Sequence, residues 1–259
     1  MVEFRFYGSG IPGVKLEDLR GKLIVVEGTD GVGRSTQVAL LRQWLEQRGH
    51  AVFDTGLTRS ALAGKGLKRA KEGNTLNVLT FTLFYATDFA DRLENQIIPA
   101  LRAGFIVLTD RYLYSQIARA VVRGVDEQWA RDVFSLALVP SATYYLKADI
   151  EHLVPRVAFT RGFDYWESGM DMNLGRDMHD SFVRYQVRML DVFDRMAVDY
   201  GFSVIDANGP IEEVFDRLKR RVGRLVNGGD KRVRAARRGP GRQAARAPEK
   251  PGHLATPAD

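Results

Sequence analysis

Three observations predict an α/β fold with a central parallel sheet flanked by helices. Short apolar, β-branched runs alternate with helical stretches along the 259 residues, an order that implies parallel pairing through right-handed crossovers. The first run, KLIVVE at 22–27, is continuously apolar from Leu23 to Val26, as a strand buried on both faces requires. It leads through a glycine turn, GTDGVGRST at 28–36, into a helical stretch. That succession aims backbone N–H groups and a helix N-terminus at an anion.

Each element follows in order. Residues 1–21 form an N-terminal extension before the first strand. In TQVALLRQWLEQRG the apolar residues Val38, Leu41, Trp44 and Leu45 recur at helical spacing, and Gly49 supplies a stop. HAVFDTG is a short second strand, and LTRSALAGKG a polar, glycine-bearing loop. A long helical stretch covers about Leu76 to Ala103. GFIVLTDRY is an apolar strand ending in Asp110 and Arg111. Another helical region leads to the strand SATYYLKAD, a polar Arg-containing segment, a helix from about Asp180 to Tyr200, and the last strand FSVIDAN. Trp44, Phe81, Phe84 and Phe134 read as core aromatics. In such a sheet, ligands bind beyond the carboxyl ends of the strands.

Composition narrows the function classes. The chain is 45% hydrophobic, enough for one domain of about 200 residues plus tails. No apolar run approaches the roughly 18 residues of a membrane span, and MVEFRFYGSG lacks the layout of a signal peptide. The absence of cysteine excludes disulfides and thiolate metal sites, so a cytoplasmic protein is expected. The four histidines show no ligand spacing. From Asn227 onward there are eight Lys or Arg against three acidic residues, so most of the net charge of +6 lies there. Residues 227–259, rich in Gly, Pro, Ala and Arg, read as a disordered basic tail able to contact nucleic acid weakly.

The turn at 28–36 matches the phosphate-binding pattern G-x-x-x-x-G-K-[ST] except that Arg34 replaces lysine. Together with LFYATDFADRLENQIIPALRAGFIVLTDRYLYS, YYLKAD, RGFDYWE and VIDANGPIEEV, it resembles the thymidylate kinase family from about Lys22 to Val226. The resemblance implies a P-loop NTPase fold over residues 22–226 with a mobile lid segment. It also implies transfer of the ATP γ-phosphoryl group, assisted by Mg2+, to a nucleoside monophosphate, most simply dTMP, in a homodimer. Other readings are a kinase of the same fold acting on another nucleotide or nucleoside, and a weak or non-catalytic nucleotide binder because of Arg34.

The resemblance assigns roles residue by residue. Gly28, Gly31, Val32, Gly33, Arg34, Ser35 and Thr36 would hold the ATP phosphates, with Ser35 on Mg2+. Asp30 would reach the acceptor sugar or the metal. Arg111 would grip the acceptor phosphate, oriented by Asp110, which is also a candidate metal ligand. Tyr112, Ser115 and Gln116 follow in the DRYxxS region. Arg156 and Arg161 lie near the lid, where an arginine would donate charge to the transferring group. Asp164, Glu167 and Asp171 form an acidic group suited to Mg2+, to the acceptor or simply to solvent. Counting back from Pro99 places the family's base-stacking aromatic at Tyr85 and its base-reading arginine at Phe89. Arg92, one turn beyond Phe89, would then reach the base instead. Departures cluster in this acceptor region: Gln116 replaces a small polar residue, and Arg119 and Ala120 replace a Tyr-Gln pair.

Overall fold

The computed structural model describes residues 4–73 and 76–237, with the side chains of 228–237 left aside. Five parallel strands, β1 (Lys22–Gly28), β2 (Val52–Gly56), β3 (Ile106–Asp110), β4 (Ala142–Lys147) and β5 (Ser203–Asp206), lie in the order β2-β3-β1-β4-β5. β1 is central, and the chain leaves it between β3 and β4, where the strand order reverses.

Successive side chains of a strand point to opposite faces, and β1 serves both. Leu23 and Val25 join a layer formed with α3 (Val78–Arg92), α4 (Ile98–Arg102), α5 (Leu113–Val122), α6 (Glu127–Val133) and α8 (Met178–Asp199). Ile24 and Val26 join the opposite layer, built with α1 (Arg34–Glu46) and α9 (Ile211–Arg237). The apolar run of β1 is thus explained by burial on two sides. In α1, Val38, Leu41 and Leu45 are buried, while Trp44 lies at the edge of the core under Arg48. Phe134 is a core residue and Phe81 joins a small cluster with Tyr85 and Trp166, but Phe84 is exposed on α3.

Four features depart from the sequence reading. The loop assigned to 57–66 already contains the start of a helix, α2 (Gly64–Gly73). The polar Arg-containing segment contains α7 (Ile150–Ala158) with Pro155 inside it, a residue that reads as a breaker. α9 continues through Arg237, so the tail assigned from residue 227 begins as helix. Lys, Arg and Ala after Gly229 favour it. Residues 238–259 lie outside the described residues. Finally, the N-terminal extension packs on the core: Phe4 and Leu19 are buried, Phe6 bridges to Leu138, and the hydroxyls of Tyr7 and Tyr114 lie 2.6 Å apart. Among the described residues no helix is long and apolar enough to cross a membrane.

Candidate active site

The turn between β1 and α1 forms one wall of a cleft of about 710 Å³. Gly31 and Gly33 both have φ of +87°, a left-handed conformation that favours glycine. At Gly31 a β-carbon would also collide with Val157 of α7. Gly33 precedes α1 with no side-chain cap, so the first N–H groups of that helix face the cleft unclaimed by a side chain. Ser35 and Thr36 line the same wall, and Arg111, Arg161 and Glu167 line the others. Val32 meets the cleft but buries its side chain in the core.

Arg34 folds back onto the end of the sheet. Its Nε pairs with Asp110, while Nη1 donates to the carbonyls of Gly28 at 2.7 Å and Thr29 at 3.1 Å. Ser35 donates its hydroxyl to the other oxygen of Asp110 at 2.6 Å. Burial would raise the Asp110 carboxyl pKa, but Arg34 and the Ser35 hydroxyl outweigh it and hold the value below the usual range.

Asp30, only 1% exposed, accepts from Arg111, from Arg119 at 3.2 Å and from the Gln186 amide at 3.5 Å. Burial again pushes its pKa up, and Arg111 followed by Arg119 pulls it well below the carboxylate range. Burial and the neighbouring Arg34 bring Arg111 down to about 10. Arg111 itself has φ of +73°, a strained conformation for a non-glycine residue. Its Nη1 also donates to Ser115 at 3.0 Å and to the Gly28 carbonyl at 3.3 Å. Ser115 donates in turn to Glu27, whose carboxylate accepts from the backbone N–H groups of Tyr112 and Ser115. Glu27 therefore caps α5 from the neighbouring strand, and its full burial raises its pKa.

Beyond α7, Thr160, Arg161 and Glu167 line the cleft. Arg161 is half-exposed and grips Glu167 with both Nη atoms. Arg156, by contrast, donates to the carbonyls of Ala207, Asn208 and Gly209 at 2.8–3.2 Å. It is anchored to the β5–α9 turn, away from the role of a free charge donor. The acidic group of this segment does not converge. Asp164 caps the N–H groups of Trp166 and Glu167, Glu167 holds Arg161, and Asp171 pairs with Arg123.

The acceptor candidates divide. Tyr85 and Gln116 face each other across a narrow gap of about 20 Å³ between α3 and α5, lined also by Phe81, Arg119 and Arg123. Phe89 and Tyr112 do not reach it. Both are fully buried in the core with their rings packed edge to face, and the Tyr112 hydroxyl donates to the Leu138 carbonyl. Arg92 is also fully buried, its Nε paired with Asp88 at 2.9 Å, so it does not reach the base from a shifted position. A π-helical segment, Leu93–Ile97, joins α3 to α4. Tyr85, Phe89 and Arg92 all precede that segment in α3, and of the three only Tyr85 lines the gap.

Three contributors escaped the sequence reading. Glu27 immediately precedes the phosphate-loop motif, but its partners are distant in sequence. Gln186, which bridges Asp30 and the Glu167 carbonyl, carries no local signal at all. Arg119 was legible in principle, because Ser115 and Arg119 are four residues apart on one face of α5.

A model of the thymidylate kinase family matches residues 26–218. The chain is 36% identical over 211 residues to a probable thymidylate kinase 2 from Saccharolobus solfataricus, covering 81% of this chain and 99% of that relative. It is 33% identical over 222 residues to a thymidylate kinase from Clavibacter sepedonicus, covering 82% and 99%. A probable thymidylate kinase from Pyrococcus horikoshii is 33% identical over 145 residues, or 54% and 71% of the two chains.

Proposed function

The chain belongs to the thymidylate kinase family, and from that premise we propose that it transfers the γ-phosphoryl group of ATP to dTMP with the help of Mg2+. One observation carries the mechanism: Asp110 joins Ser35 and Arg34 at the mouth of the phosphate loop, while Asp30 holds Arg111 on the facing wall. Phosphoryl transfer is chiefly positioning and charge neutralisation, and this arrangement supplies both.

The backbone from Gly31 to Ser35, with Gly28 and Thr36 at its ends, cradles the ATP phosphates against the start of α1. Arg34 leaves its Nη2 group without a partner among the described residues, and that group serves the phosphates while Nε braces Asp110 and Nη1 the carbonyls of Gly28 and Thr29. Arg111, locked by Asp30 and Ser115, presents a preorganised fork to the acceptor phosphate. Arg161 exchanges Glu167 for an oxygen of the transferring group as the lid closes. Arg156 shapes the wall on the donor side. Tyr85 offers a ring face to the base and Gln116 its side-chain amide, while Tyr112 and Ser115 orient α5 behind them.

The residues fit Mg2+. The Ser35 hydroxyl and Asp110 carboxylate are hard oxygen donors 2.6 Å apart, the kind of ligand Mg2+ takes alongside phosphates and water. When bound there, Mg2+ would neutralise phosphate oxygens. The homodimer is part of the same proposal, supported by the exposed Leu79, Leu83 and Phe84 on α3. The weak nucleic-acid contact of the basic tail concerns residues largely outside the described ones.

Coupled ADP release measured with dTMP, dUMP, dCMP and dGMP tests the reading. Magnesium-dependent turnover fastest with dTMP is expected. Preference for another acceptor, or no turnover with any, would sink it.

A further inference from the structure

We propose that Arg119 reads the acceptor base, supplying from α5 the cation that α3 does not provide; the inference rests on the dTMP kinase reading above. Its chemistry predicts a base with carbonyl oxygens on the edge that faces α5, a pyrimidine-2,4-dione such as thymine.

The donor inventory of the pocket leads to this residue. Arg92 on α3 pairs with Asp88 through Nε and keeps both Nη groups unpartnered among the described residues, but it is fully buried and does not line the gap. Arg123 lines the gap, but all five of its N–H donors are engaged: two with Asp171 and one each with the Tyr185 hydroxyl, the Trp166 carbonyl and the Arg119 carbonyl. An arginine has no sixth donor, so Arg123 serves as a brace. Arg119 differs. Only its Nη2 has partners among the described residues, both oxygens of Asp30 at 3.2 and 3.4 Å. Nε and Nη1 remain for a ligand. Beside it, the side-chain Nε2 of Gln116 is buried and has no hydrogen-bond partner, although Gln116 is only 3% exposed. A buried donor left unmade is costly, and a ligand that accepts from it removes that cost.

Two side chains with unspent donors, Arg119 and Gln116, therefore line the gap together with Tyr85. Thymine and uracil would offer them carbonyl oxygens, whereas the exocyclic amine of cytosine would set donor against donor. Asp30 fixes the guanidinium from behind, so Arg119 is positioned before the acceptor arrives. With space of about 20 Å³, enough for a single water, the pocket admits the base by parting α3 from α5.

The test is the binding of dTMP and dCMP by calorimetry to the full chain and to Arg119→Met, which keeps length and loses the fork. The wild type should favour dTMP, and the variant should weaken dTMP by on the order of tenfold to a hundredfold, as for loss of a charged hydrogen bond. dCMP binding should hold steady or tighten as the donor opposing its amine is lost, so the ratio collapses. A purely structural role would weaken both nucleotides together; an unchanged dTMP-to-dCMP ratio in a folded variant overturns the proposal. Should the Met variant fail to fold, Arg119→Lys is read by the same ratio, with an intermediate loss expected and no change counting against the proposal. Because binding is measured apart from turnover, a wild type that selects dTMP but does not phosphorylate it would refute the kinase reading while leaving the role of Arg119 standing.

Discussion

Arg34 engages three N–H donors within the protein and leaves two for phosphate. Arg34→Ala is accordingly expected to lower turnover by at least about a hundredfold, the scale for removing a preorganised charge beside a developing anion, while Arg34→Lys keeps the charge and should retain activity. Steady-state ADP release measures both. A second outcome concerns Asp30. Its depressed pKa stabilises the fold in full above the unfolded value of about 3.9, and that contribution is lost as pH falls toward the folded value. Asp30→Asn, which leaves Arg111 and Arg119 without their buried counter-charge, should cost about 3–5 kcal/mol at neutral pH. The deficit should shrink below about pH 4 as the unfolded wild type takes up the proton that the folded state still resists, and denaturant unfolding at several pH values measures it. At this scale the phosphate-loop residues were legible because glycine spacing and a hydroxyl have few other uses. Phe89 and Arg92 were not, because a residue count fixes a position along a helix but not which side of it the core covers.

Among the elements, α5 shows how a helix can be held from outside itself. Its N-terminal N–H groups find no local cap and instead donate to Glu27 on β1, fixing the helix that carries Ser115, Gln116 and Arg119. Glu27→Ala would strand those buried donors, at about 1–3 kcal/mol, and loosen the helix bearing the acceptor residues; a lowered midpoint in denaturant with a raised KM for the monophosphate is expected. The raised pKa of Glu27 acts opposite to that of Asp30. Its ionisation penalises the fold as pH rises through the folded value, so Glu27→Gln should remove a pH-dependent penalty as well as a hydrogen-bond acceptor. The five strands were legible because apolar β-branched runs have one economical use in a parallel sheet. α2 and α7 were not, since glycine or proline within them mimics a loop.

On the scale of the whole molecule, the family match begins at residue 26, yet the folded structure begins earlier. Phe4 and Leu19 are buried, and the Tyr7 ring packs edge-on against Tyr114 and Tyr200. Deletion of residues 1–14 should therefore lower the melting temperature by several degrees or more, because burial of one large apolar side chain is worth about 1.5–3 kcal/mol. Deletion of residues 238–259 is expected to leave melting temperature and turnover unchanged, since that stretch has no periodic apolar face. Composition announced the second segment and concealed the first, for Tyr7 and Phe4 reveal their partners only once α5 is folded beside them.

The narrowness of the gap beside Tyr85 sets a tempo. A ligand that must wait for a door cannot be hurried by adding more of it, so the observed association rate for dTMP should level off at high concentration at the rate of opening. Trp166 stacks on Phe81 with ring centroids 4.8 Å apart, beside that door, and its fluorescence in a stopped-flow experiment would time the event. A plateau would make acceptor entry a clock internal to the protein, one that cellular supplies of the nucleotide can start but not speed.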